Sequence, residues 1–226
     1  MTGSTSDAPD PSTDAAELAR GALIRPLRPG DLRAVGALLD CAFDGTGESA
    51  VVERLDDAQA LTCCFVAECT ADHGPDAHWR PGAILGALFF SPAWLDPDPL
   101  PQAAGLTAPP LASVPVVALG PMAVEPGVQR QGLGGRLVRA GLRACRLAGH
   151  GAVIVLGHPT YYTRFGFQPA RPLDIAFPFP DAPDAACMVL PLRADHLPRM
   201  RATARFHAAF DAPADDDALA EAVAAG

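Results

Sequence analysis

The run Gln129-Arg130-Gln131-Gly132-Leu133-Gly134 lies between an apolar stretch, 115–124, and an arginine-studded stretch of helical spacing, 133–147. Residues of these types in this order build an anion site. The first backbone N–H groups of a helix lack intrahelical partners, and the helix dipole adds partial positive charge there. Glycine also leaves no Cβ between an anion and the backbone. A phosphate-bearing cosubstrate is the chemistry such a loop suits. No Asp or Glu occurs between Glu125 and Asp174, whereas Arg130, Arg136, Arg139, Arg143, Arg146, Arg164 and Arg171 all do. The local field is therefore positive on an acidic protein. Arg130, with Arg136 next, is expected close enough to the loop to matter, and the later arginines complement the helix C-terminus.

Other readings of the loop fail for want of residues. As a dinucleotide fingerprint it carries Leu137 where the third glycine belongs, and no acid follows at the distance that grips a ribose. All 17 basic residues are arginine. Without lysine there is neither the phosphate-binding P-loop of nucleotide hydrolases nor Schiff-base chemistry. A formal net charge of -9 argues against nucleic acid or an anionic membrane surface as partner. The six cysteines lack the paired spacing of a zinc site and are expected as buried, reduced thiols, with no metal. The polar, acidic start shows no basic-then-apolar signal pattern, and no apolar run approaches the ~20 residues that span a bilayer. A cytoplasmic protein is expected.

The elements that must position the loop follow from periodicity. A single domain is expected over 21–210, with a disordered leader at 1–20 and an acidic tail at 211–226. A strand at 22–27 ends at Pro29-Gly30, and Asp31 caps a helix with Leu32, Val35, Leu38 and Leu39 on one face. A second helix is expected at 48–57, then strands at 61–68 and 83–90 as an antiparallel pair. The proline density of 92–115 reads as a long inserted surface loop, excluding helix and central strand. The sheet resumes at 116–124, where Gly120-Pro121 demands a bulge or break that leaves backbone groups near Met122 without a strand partner. Beyond the helix at 133–147, residues 152–156 read as a strand buried on both faces. A short helix then starts at Pro159 and stops at Gly166, and final strands are expected at 167–169 and 187–192.

Gln129-x-x-Gly132-x-Gly134 resembles the pyrophosphate-binding signature of the GCN5-related N-acetyltransferases (GNAT), and Leu119-Gly120-Pro121-Met122-Ala123-Val124 resembles their bulged fourth strand. Downstream, Gly157-His158-Pro159-Thr160-Tyr161-Tyr162-Thr163-Arg164-Phe165-Gly166-Phe167 resembles the family segment that ends in Gly-Phe after a tyrosine-bearing helix. Its Gly-His-Pro-x-Tyr-Tyr form is similar to a subgroup of predicted bacterial acetyltransferases. The match covers most of residues 22–192. It implies an α/β (α+β) chain with the acyl-CoA N-acyltransferase fold: a mixed, mostly antiparallel central sheet flanked by helices, bulged before the glycine loop. It also implies an acetyl-CoA-dependent transferase, an acyltransferase acting by direct attack of a primary amine on the thioester. The acceptor is then a small-molecule amine or a peptide or protein amine, and the protein a monomer or homodimer. The alternative is a catalytically weak CoA-binding regulatory module of the same fold.

In the family, bulged-strand backbone holds the pantetheine arm and loop amides hold the pyrophosphate. Met122, Ala123 and Val124 match the first role, and Gln129, Arg130, Gln131, Gly132, Leu133 and Gly134 the second. Tyr162, four residues before Gly166, stands where many members carry the tyrosine that protonates or hydrogen-bonds the thiolate. By helix geometry either Tyr161 or Tyr162, not both, should face the site. The proton acceptor stays open between His158, Glu125 and water, since 116–124 holds no acid. Acceptor pockets of this fold are lined by residues corresponding to 41–58 and 92–115, whose Asp44, Glu48, Asp96 and Asp98 either favour a cationic amine or are plain surface acids.

Overall fold

In the computed structural model, residues 21–70, 79–99, 111–198 and 200–211 are described. The expected leader, most of the tail and the middle of the proline-rich segment lie outside them. A single sheet organises the fold, in the order β1-β2-β3-β4-β5-β8-β6. Its first four strands are β1 (Leu23–Pro26), β2 (Thr62–Glu68), β3 (Ile84–Pro97) and β4 (Val114–Val124), each antiparallel to the next. β5 (Ala152–Leu156) runs parallel to β4, and β8 (Cys187–Pro191) returns antiparallel to β5 with β6 (Gln168–Pro169) beside it. β9 (Ala202–Arg205) pairs with the far half of β3 and with the short β7 (Ile175–Ala176).

The helices cover both faces because β2 and β3 alternate apolar side chains to both. Leu88 and Phe90 point towards α3 (Leu133–Leu147), together with Leu137, Val138 and Leu142. Ala87 and Phe89 point the other way, onto Val35, Leu38 and Leu39 of α1 (Leu32–Phe43) and Val52 of α2 (Gly47–Asp57). All four strand residues are fully buried. α3 sits close to the sheet because Gly141 has no side chain: a Cβ there would fall 2.4 Å from Phe90 Cε2 and 2.9 Å from Leu88 Cδ2. The expected bounds of this helix, 133–147, are those observed.

Two expectations about the first half of the chain need correction. Residues 92–97 are strand, not loop: β3 continues through Pro92 and Pro97, and Pro115 lies inside β4. Proline is tolerated at residue 92 because β2 stops pairing at Phe90 and β9 starts at Trp94, so the missing N–H faces no partner on that side. Asp31 does not cap α1 through its side chain. Its carboxylate instead accepts from the Arg28 backbone N–H at 2.7 Å and from Arg25 Nη1 and Nη2 at 2.6 and 2.8 Å. Glu68 takes the Nε of the same guanidinium, tying the first strand to the turn before α1. β7 and β9 were not foreseen.

Candidate active site

β4 and β5 pair only at Val117–Val153 and Ala118–Ile154 among the described residues. Immediately afterwards β4 bulges: between Leu119 and Met122 it uses Gly120 and Pro121, joined by a cis peptide, where β3 uses Phe89 alone. The bulge expected from Gly-Pro is present. It turns β4 away from β5, and between the separated strands lies a cavity of about 1020 Å³ that runs from the glycine loop to the end of α1. Leu119, Met122 and Val124 form its β4 wall, and Leu156, Gly157 and His158 its β5 side.

The glycine loop is fastened at both ends. Val128, at the end of a 3-10 turn opened by Pro126, and Leu133, at the start of α3, are fully or almost fully buried. Between them Arg130 and Gly132 hold positive φ values of 61° and 85°, and the Gln129 amide donates to Val124 O at 3.0 Å. No side chain caps α3, and its first turn carries no acid. Its leading N–H groups therefore keep their positive field for an anion. Gly134 leaves room beside the neighbouring phenol, because a Cβ there would lie 2.7 Å from Tyr161 Oη.

The arginines near the loop differ from the expected pair. Arg136 Nη2 donates to Ala22 O at 2.6 Å and holds β1, away from the cavity. Arg130, Arg139 and Arg164 line the cavity instead. Arg139 Nη1 donates to Gly135 O at 3.2 Å and its guanidinium lies 5.4 Å from the centre of the Phe165 ring. Arg164 stacks 4.4 Å over the Tyr161 ring while its Nε donates to Tyr161 O at 3.1 Å. Cations held over ring faces keep their charge beside the loop and order the aromatic side chains beneath.

Tyr161 and Tyr162 both line the cavity, correcting the expectation that only one would. They sit on α4 (Pro159–Tyr162), with rings 5.0 Å apart edge to face, and the cavity is long enough to meet two side chains ~100° apart on a helix. Tyr162 packs between Phe167, 5.5 Å away, and Gly157, where a Cβ would fall 2.4 Å from its Cε2. Burial pushes both phenols above the usual tyrosine value, Tyr162 furthest. Tyr161 Oη is buried without a hydrogen-bond partner among the described residues, as is His158 Nε2. His158 opens α4, yet its ring makes no capping bond.

Of the remaining expected residues, Ala123 is buried against α1, pairs with Ala87 of β3 and does not line the cavity. Gln131 is exposed and Glu125 half-buried, and neither lines the cavity. Among the four acids named for the acceptor side, Glu48 alone lines it, 9% exposed in the first turn of α2. Asp96 pairs with Arg205 at 2.6 Å, Asp98 pairs with Arg201 at 3.3 Å, and Asp44 is exposed at the end of α1. Sequence reasoning missed Phe43, Phe179, Phe206 and Phe210, which border the same end. Their only sequence signal is aromaticity, and nothing local brings them together.

Known proteins share this architecture. Residues 38–167 match the family model described as Acetyltransferase (GNAT) family. The uncharacterized N-acetyltransferase YhbS of Escherichia coli (strain K12) is 30% identical over 189 residues, which is 84% of this chain and 98% of that protein. The uncharacterized N-acetyltransferase YjhQ of the same organism is 43% identical over 82 residues, 35% of this chain and 45% of YjhQ. The crystal structure of Escherichia coli YhbS in complex with CoA superimposes with a TM-score of 0.68 at 29% identity, covering 84% of this chain and 92% of that one. A GNAT family acetyltransferase from Brucella melitensis in complex with acetyl-CoA gives 0.61 at 30% identity, covering 84% and 98%.

Proposed function

The chain belongs to the acetyltransferase (GNAT) family, and from that premise we propose that it transfers an acetyl group from acetyl-CoA to a primary amine. The observation that carries this reading is the cavity opened by the β4 bulge, which ends on an uncapped, acid-free helix N-terminus. A pyrophosphate suits that end: backbone donors, positive φ at Arg130 and Gly132, and the glycine at residue 134 leave room and charge for it. Arg130, Arg139 and Arg164 add cations at its rim. Met122 and Val124, whose β5-side edge carries no paired strand among the described residues, suit the amide-bearing arm. Within the family, the Gly157-His158-Pro159-Thr160-Tyr161-Tyr162 run is our proposed mark of a subgroup.

Bound acetyl-CoA supplies the thioester carbonyl that a neutral amine attacks. Tyr162 is the donor to the departing sulfur. Because burial raises its hydroxyl well above a thiol of cysteine-like pKa, about 8.5, Tyr162 serves as a hydrogen-bond donor that keeps its proton. His158 is the proton acceptor favoured over Glu125, since the residue lines the cavity with its Nε2 lacking a hydrogen-bond partner among the described residues, and Glu125 lies outside the lining. Tyr161 Oη lies against Gly134 and offers a second hydrogen bond beside the cradle.

Calorimetry with acetyl-CoA and CoA, followed by thiol detection across an amine panel, tests this reading. Binding with amine-dependent thiol release supports it. Absence of acetyl-CoA binding overturns it, and tight binding with no transfer to any amine or peptide favours a CoA-binding module.

A further inference from the structure

The cavity is chemically polar along its length. At the loop end it is bordered by glycines and by Arg130, Arg139 and Arg164; at the other end by Phe43, Phe179, Phe206 and Phe210. These four come from α1, the segment before β8, the segment after β9 and the final 3-10 turn, and the rings of Phe179, Phe206 and Phe210 are contiguous. Phe206 lies 5.2 Å from Phe179 and 5.9 Å from Phe210, and Phe177 backs it at 5.7 Å. The chain holds only ten phenylalanines, so four at one end of one cavity is a concentration that composition does not supply. Each of the four is only half-buried. Apolar surface left open on a cavity wall favours a ligand that covers it.

The same end carries a sparse charge pattern. Glu48 is the single carboxylate lining the cavity among the described residues. Arg54, one and a half turns further along α2, also lines it, with its Nε bonded to Ala209 O at 2.9 Å, which ties α2 to the turn bearing Phe210. A lining with a single carboxylate and a cationic guanidinium disfavours a ligand carrying several cations, since the additional ammonium groups would lack a carboxylate and meet the guanidinium.

We propose that the acceptor is a small monoamine whose amino group hangs from a bulky apolar, aryl-bearing body, with the body on Phe179, Phe206 and Phe210 and the amine directed past Glu48. The inference rests on the acetyl-transfer reading. Polyamines, aminoglycosides and lysine side chains of peptides are the acceptors it excludes, because each brings several charges or a polar body to an aromatic wall.

The test uses the full-length protein and begins with calorimetric titration of acetyl-CoA, because failure there removes the acetyl-transfer reading and this one together. With binding established, thiol release is followed with 2-phenylethylamine, hexylamine, spermidine and a lysine peptide. The expected result is a kcat/KM for 2-phenylethylamine at least tenfold above spermidine and the peptide. Phe206→Ala and the milder Phe179→Leu should each raise the 2-phenylethylamine KM at least fivefold while leaving the Kd for acetyl-CoA unchanged, which also reports that the variants are folded. Acetyl-CoA binding accompanied by a preference for spermidine or peptide, by unchanged KM in both folded variants, or by no turnover of 2-phenylethylamine would overturn the acceptor class and leave the acetyl-CoA site standing.

Discussion

A Cβ on residue 157 would fall 2.4 Å from Cε2 of Tyr162, so the phenol ring occupies space that only a glycine leaves at the end of β5. Tyr162→Phe should lower kcat about a hundredfold, the low end of the ~10²–10⁴-fold range of a positioned acid or donor, and leave the acetyl-CoA Kd alone. Gly157→Ala should lower kcat similarly by displacing the ring. Because the Tyr162 hydroxyl is raised by burial, it stays protonated through pH 10, and any alkaline limb below that in wild type should persist in Tyr162→Phe. Steady-state kinetics from pH 6 to 10 checks all three, and unchanged turnover in Tyr162→Phe removes this residue from the mechanism.

Gly134 separates the start of α3 from Tyr161 Oη, which lies 2.7 Å from where a Cβ would stand. Gly134→Val should fill the cradle and raise the Kd for acetyl-CoA at least tenfold with little change in Tm, since the first turn of a helix accepts most residues. Calorimetry and thermal melting on one preparation decide it; equal affinity would mean the phosphates bind elsewhere.

Gly141 fixes how closely α3 approaches the sheet, with Phe90 Cε2 2.4 Å and Leu88 Cδ2 2.9 Å from its would-be Cβ. Both neighbours are fully buried, so neither can move aside freely. Gly141→Ala should cost about 1–3 kcal/mol by overpacking, read from denaturant unfolding. A neutral effect would show the helix free to shift outward.

Arg25 joins Asp31 and Glu68 in a largely buried network at the sheet edge. The Arg25 guanidinium, hydrogen-bonded to Asp31, holds that carboxyl below the usual carboxylate range, aided by the Arg28 backbone N–H. A depressed folded-state pKa contributes stability that is present above the unfolded value, about 3.9, and lost as pH falls through the folded one. Unfolding free energy should therefore drop between about pH 5 and pH 2, and Asp31→Asn should be less stable at pH 7 with a shallower decline. Arg25→Met, which strands two carboxylates, should cost about 3 kcal/mol at pH 7. Urea titrations at pH 7, 5, 4 and 3 give each slope.

The elements that frame the proposed donor half of the site were legible because their signals are local. The Gly120-Pro121 bulge, the loop opening α3 and the short helix between Pro159 and Gly166 each depend on residues within a few positions of one another. The extension of β3 was not legible: proline is excluded from a ladder only where a partner needs its N–H, and the gap opposite Pro92 is set by where β2 ends and β9 begins. Arg139 lines the cavity where Arg136 was expected, because Arg136 faces Ala22, a contact across 114 residues that helical periodicity does not encode. In the aromatic wall Phe206 and Phe210 are sequence neighbours, but residues 43 and 179 join them only through the tertiary fold.

β3 continues after β2 has ended, and β9 takes the edge that is left over. The consequence is a division of labour within one cavity. The proposed cradle lies inside residues 38–167, which match the family model, whereas Phe206 and Phe210 follow β9, on a segment attached along an edge that the β2-β3-β4-α3 unit does not use. Such a segment can be rewritten without disturbing the proposed grip on the donor. Replacing residues 202–211 by the matching segment of a relative should change which amine is accepted while acetyl-CoA affinity, measured by calorimetry, stays within about twofold, a shift of ~0.4 kcal/mol.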